Sequence, residues 1–114
     1  MSLRFRLLVA AVLPAMLFLV VHTRAQAGPR VTGVDPTTAK AGDNVTVLGE
    51  NLDKKAVVAV YLSDSSEDHK VQVVDQTPEK IVIKVPKLKA RDYNVSIQVR
   101  NDILIQPVRL TVQE

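Results

Sequence analysis

Tyr93-Asn94-Val95-Ser96-Ile97-Gln98-Val99-Arg100 is the stretch that decides the fold class. Successive side chains of a β-strand point to opposite faces, so this octet sets four apolar groups on one side and four polar groups on the other. A helix would need its apolar residues three and four apart, and here they fall every second position. The stretch therefore predicts a half-buried antiparallel strand. Upstream, Ile81, Ile83 and Val85 repeat the alternation, as do Val45 and Val47. Val57–Ser63 is apolar on both parities until its end, which predicts a central strand; Val71, Val73 and Val74 predict another, and Val31–Val34 begins the series. Valine supplies 16 of residues 28–114, and its β-branched side chain suits a pleated surface. No segment of this part shows a helical period, and that excludes the α/β enzyme folds.

Turn residues punctuate these runs at the spacing of a sandwich. They are Asp35-Pro36, Ala41-Gly42-Asp43-Asn44, Gly49 to Lys55, Ser63 to His69, Thr77-Pro78-Glu79 and Pro86 to Arg91. Asn101-Asp102 reads as a two-residue loop of the type I′ kind between the last two strands. In the final strand Val108, Leu110 and Val112 share one parity while Ile103 and Ile105 share the other, with Pro107 between them. This predicts a one-residue β-bulge at Gln106-Pro107 and an edge position for at least one side of the strand.

The chain of 114 residues has 15 Lys and Arg against 12 Asp and Glu, a formal charge of +3 and a pI of about 9.4. The excess is local: Arg4, Arg6 and Arg24 lie in residues 1–27, which hold no acid, and the remaining 12 basic residues balance the 12 acids of residues 28–114. Arg4 and Arg6 precede the uncharged apolar run Leu7 to Val21, and Ala25-Gln26-Ala27 follows. These are the three regions of a secretory signal peptide, with Ala25 and Ala27 as the small residues of the cleavage site. A retained anchor is the rival reading, but fifteen residues of helix span about 22 Å against a hydrocarbon layer of about 30 Å, and Pro14 would kink them. The expectation is a signal-peptide helix cleaved after Ala27, no membrane anchor thereafter, and a product secreted or released to the periplasm.

Cysteine is absent, so the protein has no disulfide, thiolate metal site or cysteine nucleophile. Small exported domains of animals usually rely on disulfides; an exported domain without them leans bacterial and depends on its apolar core. The neutral balance of residues 28–114 removes the electrostatic case for nucleic acid.

Read in order, residues Pro29 to Val112 resemble the IPT/TIG domain family. Pro29-Arg30-Val31-Thr32-Gly33-Val34-Asp35-Pro36-Thr37 is similar to the family's opening strand, with its rhythm P-x-I-x-x-I-x-P. Ala41-Gly42-Asp43-Asn44-Val45-Thr46-Val47-Leu48-Gly49-Glu50-Asn51-Leu52 is similar to its glycine turn, strand and G-x-N-F loop. Ile81-Val82-Ile83-Lys84-Val85-Pro86 and Asp92 to Val99 are similar to two later strands. Leu52 departs from the pattern, standing where the family usually has phenylalanine, and residues 28–114 contain no Phe or Trp; packing there is expected to be rearranged. The resemblance implies an immunoglobulin-like sandwich of about seven strands in residues 28–114, and an interaction role, since the family serves as binding and spacer modules. Independently of it, Gly42 suits a positive-φ turn and Gly49 a crowded strand exit. Asn51 suits a loop in which it bonds its own backbone. Tyr93 suits a tyrosine corner, its hydroxyl bonded to nearby backbone.

Candidate chemistry is sparse. His69 stands in Asp64-Ser65-Ser66-Glu67-Asp68-His69, a polar loop that predicts an exposed imidazole with nothing to orient it against Ser63, Ser65 or Ser66. Nucleophilic catalysis needs that orientation, so no catalytic residue is assigned. Asp64, Glu67 and Asp68 lack the ligand number and glycine of a calcium loop, and a solvated acidic turn is the plainer reading; no metal and no cofactor are expected. The basic run Lys80, Lys84, Lys87, Lys89 and Arg91 is the candidate partner-binding surface, suited to an anionic glycan, lipid surface or acidic protein. Lysines also guard sheet edges. Asn44-Val45-Thr46 and Asn94-Val95-Ser96 match the glycosylation triplet, but both fall in predicted strands and read as chance. The expectation is an exported, non-enzymatic binding module, with a protein or envelope polysaccharide as partner. A carbohydrate-binding accessory is the alternative, with Tyr61 and Tyr93 as its aromatic candidates, and a hydrolase stands behind both.

Overall fold

The computed structural model describes residues 28–114; the expected leader and its Ala25 and Ala27 cleavage site lie outside them. Nine strands form among the described residues: β1 (Arg30–Asp35), β2 (Thr38–Lys40), β3 (Asn44–Glu50), β4 (Ala59–Ser63), β5 (Asp68–Lys70), β6 (Gln72–Gln76), β7 (Lys80–Lys84), β8 (Arg91–Val99) and β9 (Asp102–Gln113). They make a sandwich of two sheets, ordered β1-β3-β7-β6 and β2-β9-β8-β4-β5. The two strands beyond the expected seven are three-residue pieces: β2, whose Thr-Ala-Lys carries no legible period, and β5, which begins within the expected polar loop Ser63 to His69 and ends just past it.

Alternation places the core as predicted. Val45, Val47, Ile81 and Ile83 from one sheet meet Val60, Leu62, Tyr93, Val95, Ile97, Leu110 and Val112 from the other, all buried. β4 is buried along both faces, the mark of a central strand, and it lies between β8 and β5. Leu52, in the place where phenylalanine was expected, is also fully buried; its N–H donates to the Pro78 carbonyl at 2.8 Å and its carbonyl accepts from Gln76 Nε2 at 2.8 Å.

Four local irregularities shape the sheets. β1 bulges between Val31 and Gly33, and the extra residue brings Val31 and Val34 to the same face despite their spacing of three. That bulge is the physical content of the rhythm P-x-V-x-x-V-x-P. The chain then changes sheets at the cis Asp35-Pro36 peptide, and β2 runs parallel to β9. The third irregularity is at Val74, where β6 bulges and exposes that valine. The fourth is in β9, opposite Val95: Asn94 pairs with Arg109 but Ser96 pairs with Ile105. The irregularity stands at Gln106-Pro107, as expected, but inserts two residues rather than one. An even insertion preserves parity, so Ile103 and Ile105 stay on the outer face with Arg109 and do not join Leu110 in the core.

The β8–β9 loop also shifts by one from its expected place. Val99 pairs with Asp102, which leaves Arg100-Asn101 as the two-residue turn. Of these only Arg100 has positive φ, at 59°, so the turn is not type I′, which requires positive φ at both positions. Gly42 does take a positive φ, 91°, and Asn51 takes 56°.

Candidate functional site

The Asp64–Glu67 segment is a built turn. Asp64 Oδ1 accepts from the Ser66 amide at 2.8 Å, the Ser66 hydroxyl at 2.9 Å and the Glu67 amide at 2.8 Å. These donors hold the Asp64 carboxyl far below the usual carboxylate range. Its other oxygen lies 3.4 Å from both His69 Nε2 and Arg91 Nη1. Contrary to the sequence expectation, His69 is oriented: β5 pairs it with Leu62, facing the core, and its ring packs edge-on against Tyr93 with centroids 5.9 Å apart. Its side chain keeps only 24% of its exposure. Ser66 and His69 both address the carboxylate and not each other, so the hydroxyl has no imidazole against it, and the carboxylate it faces is held weakly basic by its amide donors. Among the described residues no three His, Asp or Glu side chains converge to hold a metal ion.

Tyr93 closes the tyrosine corner. Its hydroxyl donates to the Lys89 carbonyl at 2.8 Å, and burial pushes its pKa up. Lys87, Lys89 and Arg91 border a hollow of about 400 Å³ together with His69, Asp64 and Tyr93. Lys80 and Lys84 lie elsewhere, on the outer face of the four-stranded sheet, opposite Leu48 and Asn44 of β3. The basic run is thus split: Lys80 and Lys84 stand on β7, Lys87 and Lys89 in the crossing at residues 85–90, and Arg91 at the start of β8. Of the glycosylation triplets, Asn94 is committed, donating to the Gln106 carbonyl at 2.8 Å.

The outer face of the five-stranded sheet holds a second concavity, about 490 Å³, lined by Ser63, Asp64, Arg91, Asn94, Ile105 and Arg109 among others. This face is unusual for an outward one, because Ser63, which lines the hollow, and Ser96 beside it are both buried. Register explains it: Ser96 lies between Tyr61 of β4 and Ile105 of β9, two larger side chains that shade it. The Ser63 and Ser96 hydroxyls meet at 2.8 Å, and Ser63 Oγ donates to Asp68 at 2.6 Å. The Tyr61 hydroxyl donates to Gln98 Oε1 at 2.6 Å. Beside this face, Ile103, Leu104 and Ile105 remain 39%, 41% and 64% exposed in one unbroken run. β2 covers β9 only along Thr111–Gln113, and Gln106 Oε1 accepts the Val31 amide at 2.9 Å. Asp102–Ile105 is therefore an open sheet edge, which bears out the expected edge position over this part of the strand. Sequence reading named the edge but not this apolar patch; the signal was three aliphatic residues in succession where alternation should have supplied a polar one.

Residues 29–112 match the IPT/TIG domain. The chain belongs to the IPT/TIG family. No curated protein matches the IPT/TIG chain. Among solved structures, a Bacteroides thetaiotaomicron protein of unknown function is 17% identical at a TM-score of 0.66, covering 79% of this chain and 23% of its own. A Bacteroides ovatus auxiliary nutrient binding protein is 21% identical at 0.57, over 77% of this chain and 21% of its own. The Bacteroides ovatus mixed-linkage glucan utilization locus protein SGBP-B, solved in complex with a mixed-linkage heptasaccharide, is 18% identical at 0.54, over 77% and 24%. The IPT/TIG chain thus spans less than a quarter of each of these proteins, and at such identities the likeness shows the fold alone. Carbohydrate- and nutrient-binding proteins are among those that carry this fold.

Proposed function

We propose that this chain is an exported, non-enzymatic binding module that engages a protein partner through the outer face and open edge of its five-stranded sheet. The observation that carries the reading is the exposed run Ile103-Leu104-Ile105, on a stretch of β9 whose other side is paired with β8 from Asp102 to Ile105. Strand addition at such an edge draws its affinity from main-chain hydrogen bonds and its selectivity from alternate side chains. The leader pattern of residues 1–27 supports export, to the periplasm or beyond, with residues 28–114 as the product after cleavage at Ala27. The turn at Asp64 supports the absence of catalysis, since its hydroxyl and imidazole share one carboxylate.

Amide exchange of the isotopically labelled protein in native envelope extract tests the reading. Ile103 and Ile105 are expected to gain protection that Ile105→Lys abolishes. Protection confined to Lys84, Lys87 and Lys89, abolished by their change to Glu, would instead assign binding to the basic run.

A carbohydrate-binding accessory is the second reading, favoured by the likeness to a protein solved with a heptasaccharide. Tyr61 is the ring available to it on the outer face. Native electrophoresis in soluble glucan checks this: unretarded migration, or retardation unchanged by Tyr61→Ala, removes the aromatic support.

A further inference from the structure

We infer that the open end of β9 is a self-pairing edge, at which a second copy of this chain adds antiparallel and joins the two five-stranded sheets into one. The inference rests on the reading of this edge as the binding surface and names its occupant. Proteins guard free edges with charge, shortness or bulges. β5 is three residues long with Asp68 and Lys70; β6 has its bulge at Val74 and Asp75; β1 has a bulge and ends in Arg30 and Asp35. Ile103-Leu104-Ile105 has no such guard within it.

The backbone dictates which residues a partner strand meets. In a two-residue hairpin the closing pair, here Val99 and Asp102, is hydrogen-bonded, and bonded and non-bonded pairs then alternate. Ile97–Leu104 is the next bonded pair. Gln98 and Ser96 therefore turn their backbone groups toward β4, and the Gln98 carbonyl indeed accepts the Val58 amide at 3.0 Å. Their partners Ile103 and Ile105 accordingly aim N–H and C=O at the open edge. A two-fold pairing centred on Leu104 sets Ile103 opposite Ile105 of the second copy, and Ile105 opposite Ile103. Both are edge-facing pairs, and each exchanges two hydrogen bonds. Centring on Ile105 would oppose Ile103 with Pro107, which has no N–H to give; centring on Ile103 would oppose Ile105 with the turn residue Asn101. In the Leu104 register the four isoleucines cluster on the outer face, and the two leucines form a non-hydrogen-bonded pair, where side chains approach most closely. Asp102, the charge in this window, faces neutral Gln106 of the second copy, so no like charges oppose. The contact is short of the roughly 1,200 Å² of a stable interface, so the dimer is weak and concentration-dependent.

The native absence of cysteine makes the test clean. With protein expressed from the whole chain, Leu104→Cys places two thiols across the two-fold, within disulfide reach. Under mild oxidation at high concentration it is expected to become mostly covalent dimer. Ile103→Cys, whose thiol opposes Ile105, and Val74→Cys, on an edge of the other sheet, should stay mostly monomeric. Sedimentation velocity from micromolar to millimolar concentration should show wild type shifting toward dimer and Ile105→Lys remaining monomeric with an unchanged circular dichroism spectrum. The inference is overturned if Leu104→Cys cross-links no faster than Val74→Cys, or if wild type stays monomeric throughout. A monomer whose Ile103 and Ile105 amides are protected by envelope extract overturns self-pairing while leaving the binding reading intact.

Discussion

At Gly49 a β-carbon would run into the carbonyl oxygen of Arg30 and press on a Leu52 methyl at 3.0 Å, because β1 closes on β3 where Val31 pairs with it. Gly49→Ala is expected to lose about 1–3 kcal/mol, the usual cost of overpacking, read as a lower urea midpoint with an unchanged slope. Tyr93→Phe removes the hydrogen bond to Lys89 and should cost about 1 kcal/mol at neutral pH. Because burial raises the Tyr93 pKa, the phenol's contribution is complete below its ordinary value of about 10 and is lost as pH rises through the higher native one. Alkaline unfolding should therefore begin later in Tyr93→Phe, relative to its own neutral stability, than in wild type. Asp64 behaves in the opposite sense. Its carboxyl is held low by the Ser66 and Glu67 amides, so its contribution is present above the ordinary aspartate value of about 3.9 and fades as pH falls toward the native one. The stability gap between wild type and Asp64→Ala should be widest at neutral pH and narrow in acid, measured by urea unfolding at each pH.

Single elements show where sequence patterns carry structure and where they stop. The alternation of Tyr93 to Val99 was legible because a strand's side-chain period is set by its own backbone. The doubly buried β4 was legible because a continuous apolar run has few other uses. Bulges were legible only as disturbances. In β9 the change of parity at Pro107 located the insertion but not its size, since that depends on what Val95 of β8 leaves opposite. The basic run read as one surface, yet Lys80 and Lys84 lie on β7 while Lys87, Lys89 and Arg91 lie in the crossing and at the start of β8, because the crossing at residues 85–90 is invisible to a count of charges. His69 was misjudged for a similar reason: its neighbours in sequence are polar, whereas its neighbour in space is the Tyr93 ring. Gln76 shows the same limit. Its Nε2 bridges the carbonyls of Leu52 and Val57, at 2.8 and 3.0 Å, and so pins the loop from Asn51 to Val58 against β6. Gln76→Ala strands two acceptors and should cost about 1–3 kcal/mol, with amide exchange accelerating at Leu52, Ala56 and Val57 before it does in β8.

Across the whole molecule, two sheets close over an aliphatic core in which Tyr93 is the one buried ring among the described residues. The seal between the sheets is made by the ends of the described chain. β1 lies in one sheet, β2 crosses to the other, and Thr38, Ala39 and Lys40 pair with Thr111, Val112 and Gln113. Of all the strand pairings, this one joins residues furthest apart in sequence, and long-range pairing must offset the entropy of closing the intervening chain. It follows that synthesis itself sets a threshold. A polypeptide released at Leu110 would lack only Thr111–Gln113 of β9 among its strands, yet β2 would have nothing to join and the place of Val112 in the core would be empty. Such a truncated chain is expected to lack a cooperative denaturant transition, while one extending to Gln113 regains it. The same geometry keeps Thr38–Lys40 from completing their fold until Thr111–Gln113 have been made, so the early part of the sandwich stays unsealed for as long as the end of β9 is missing.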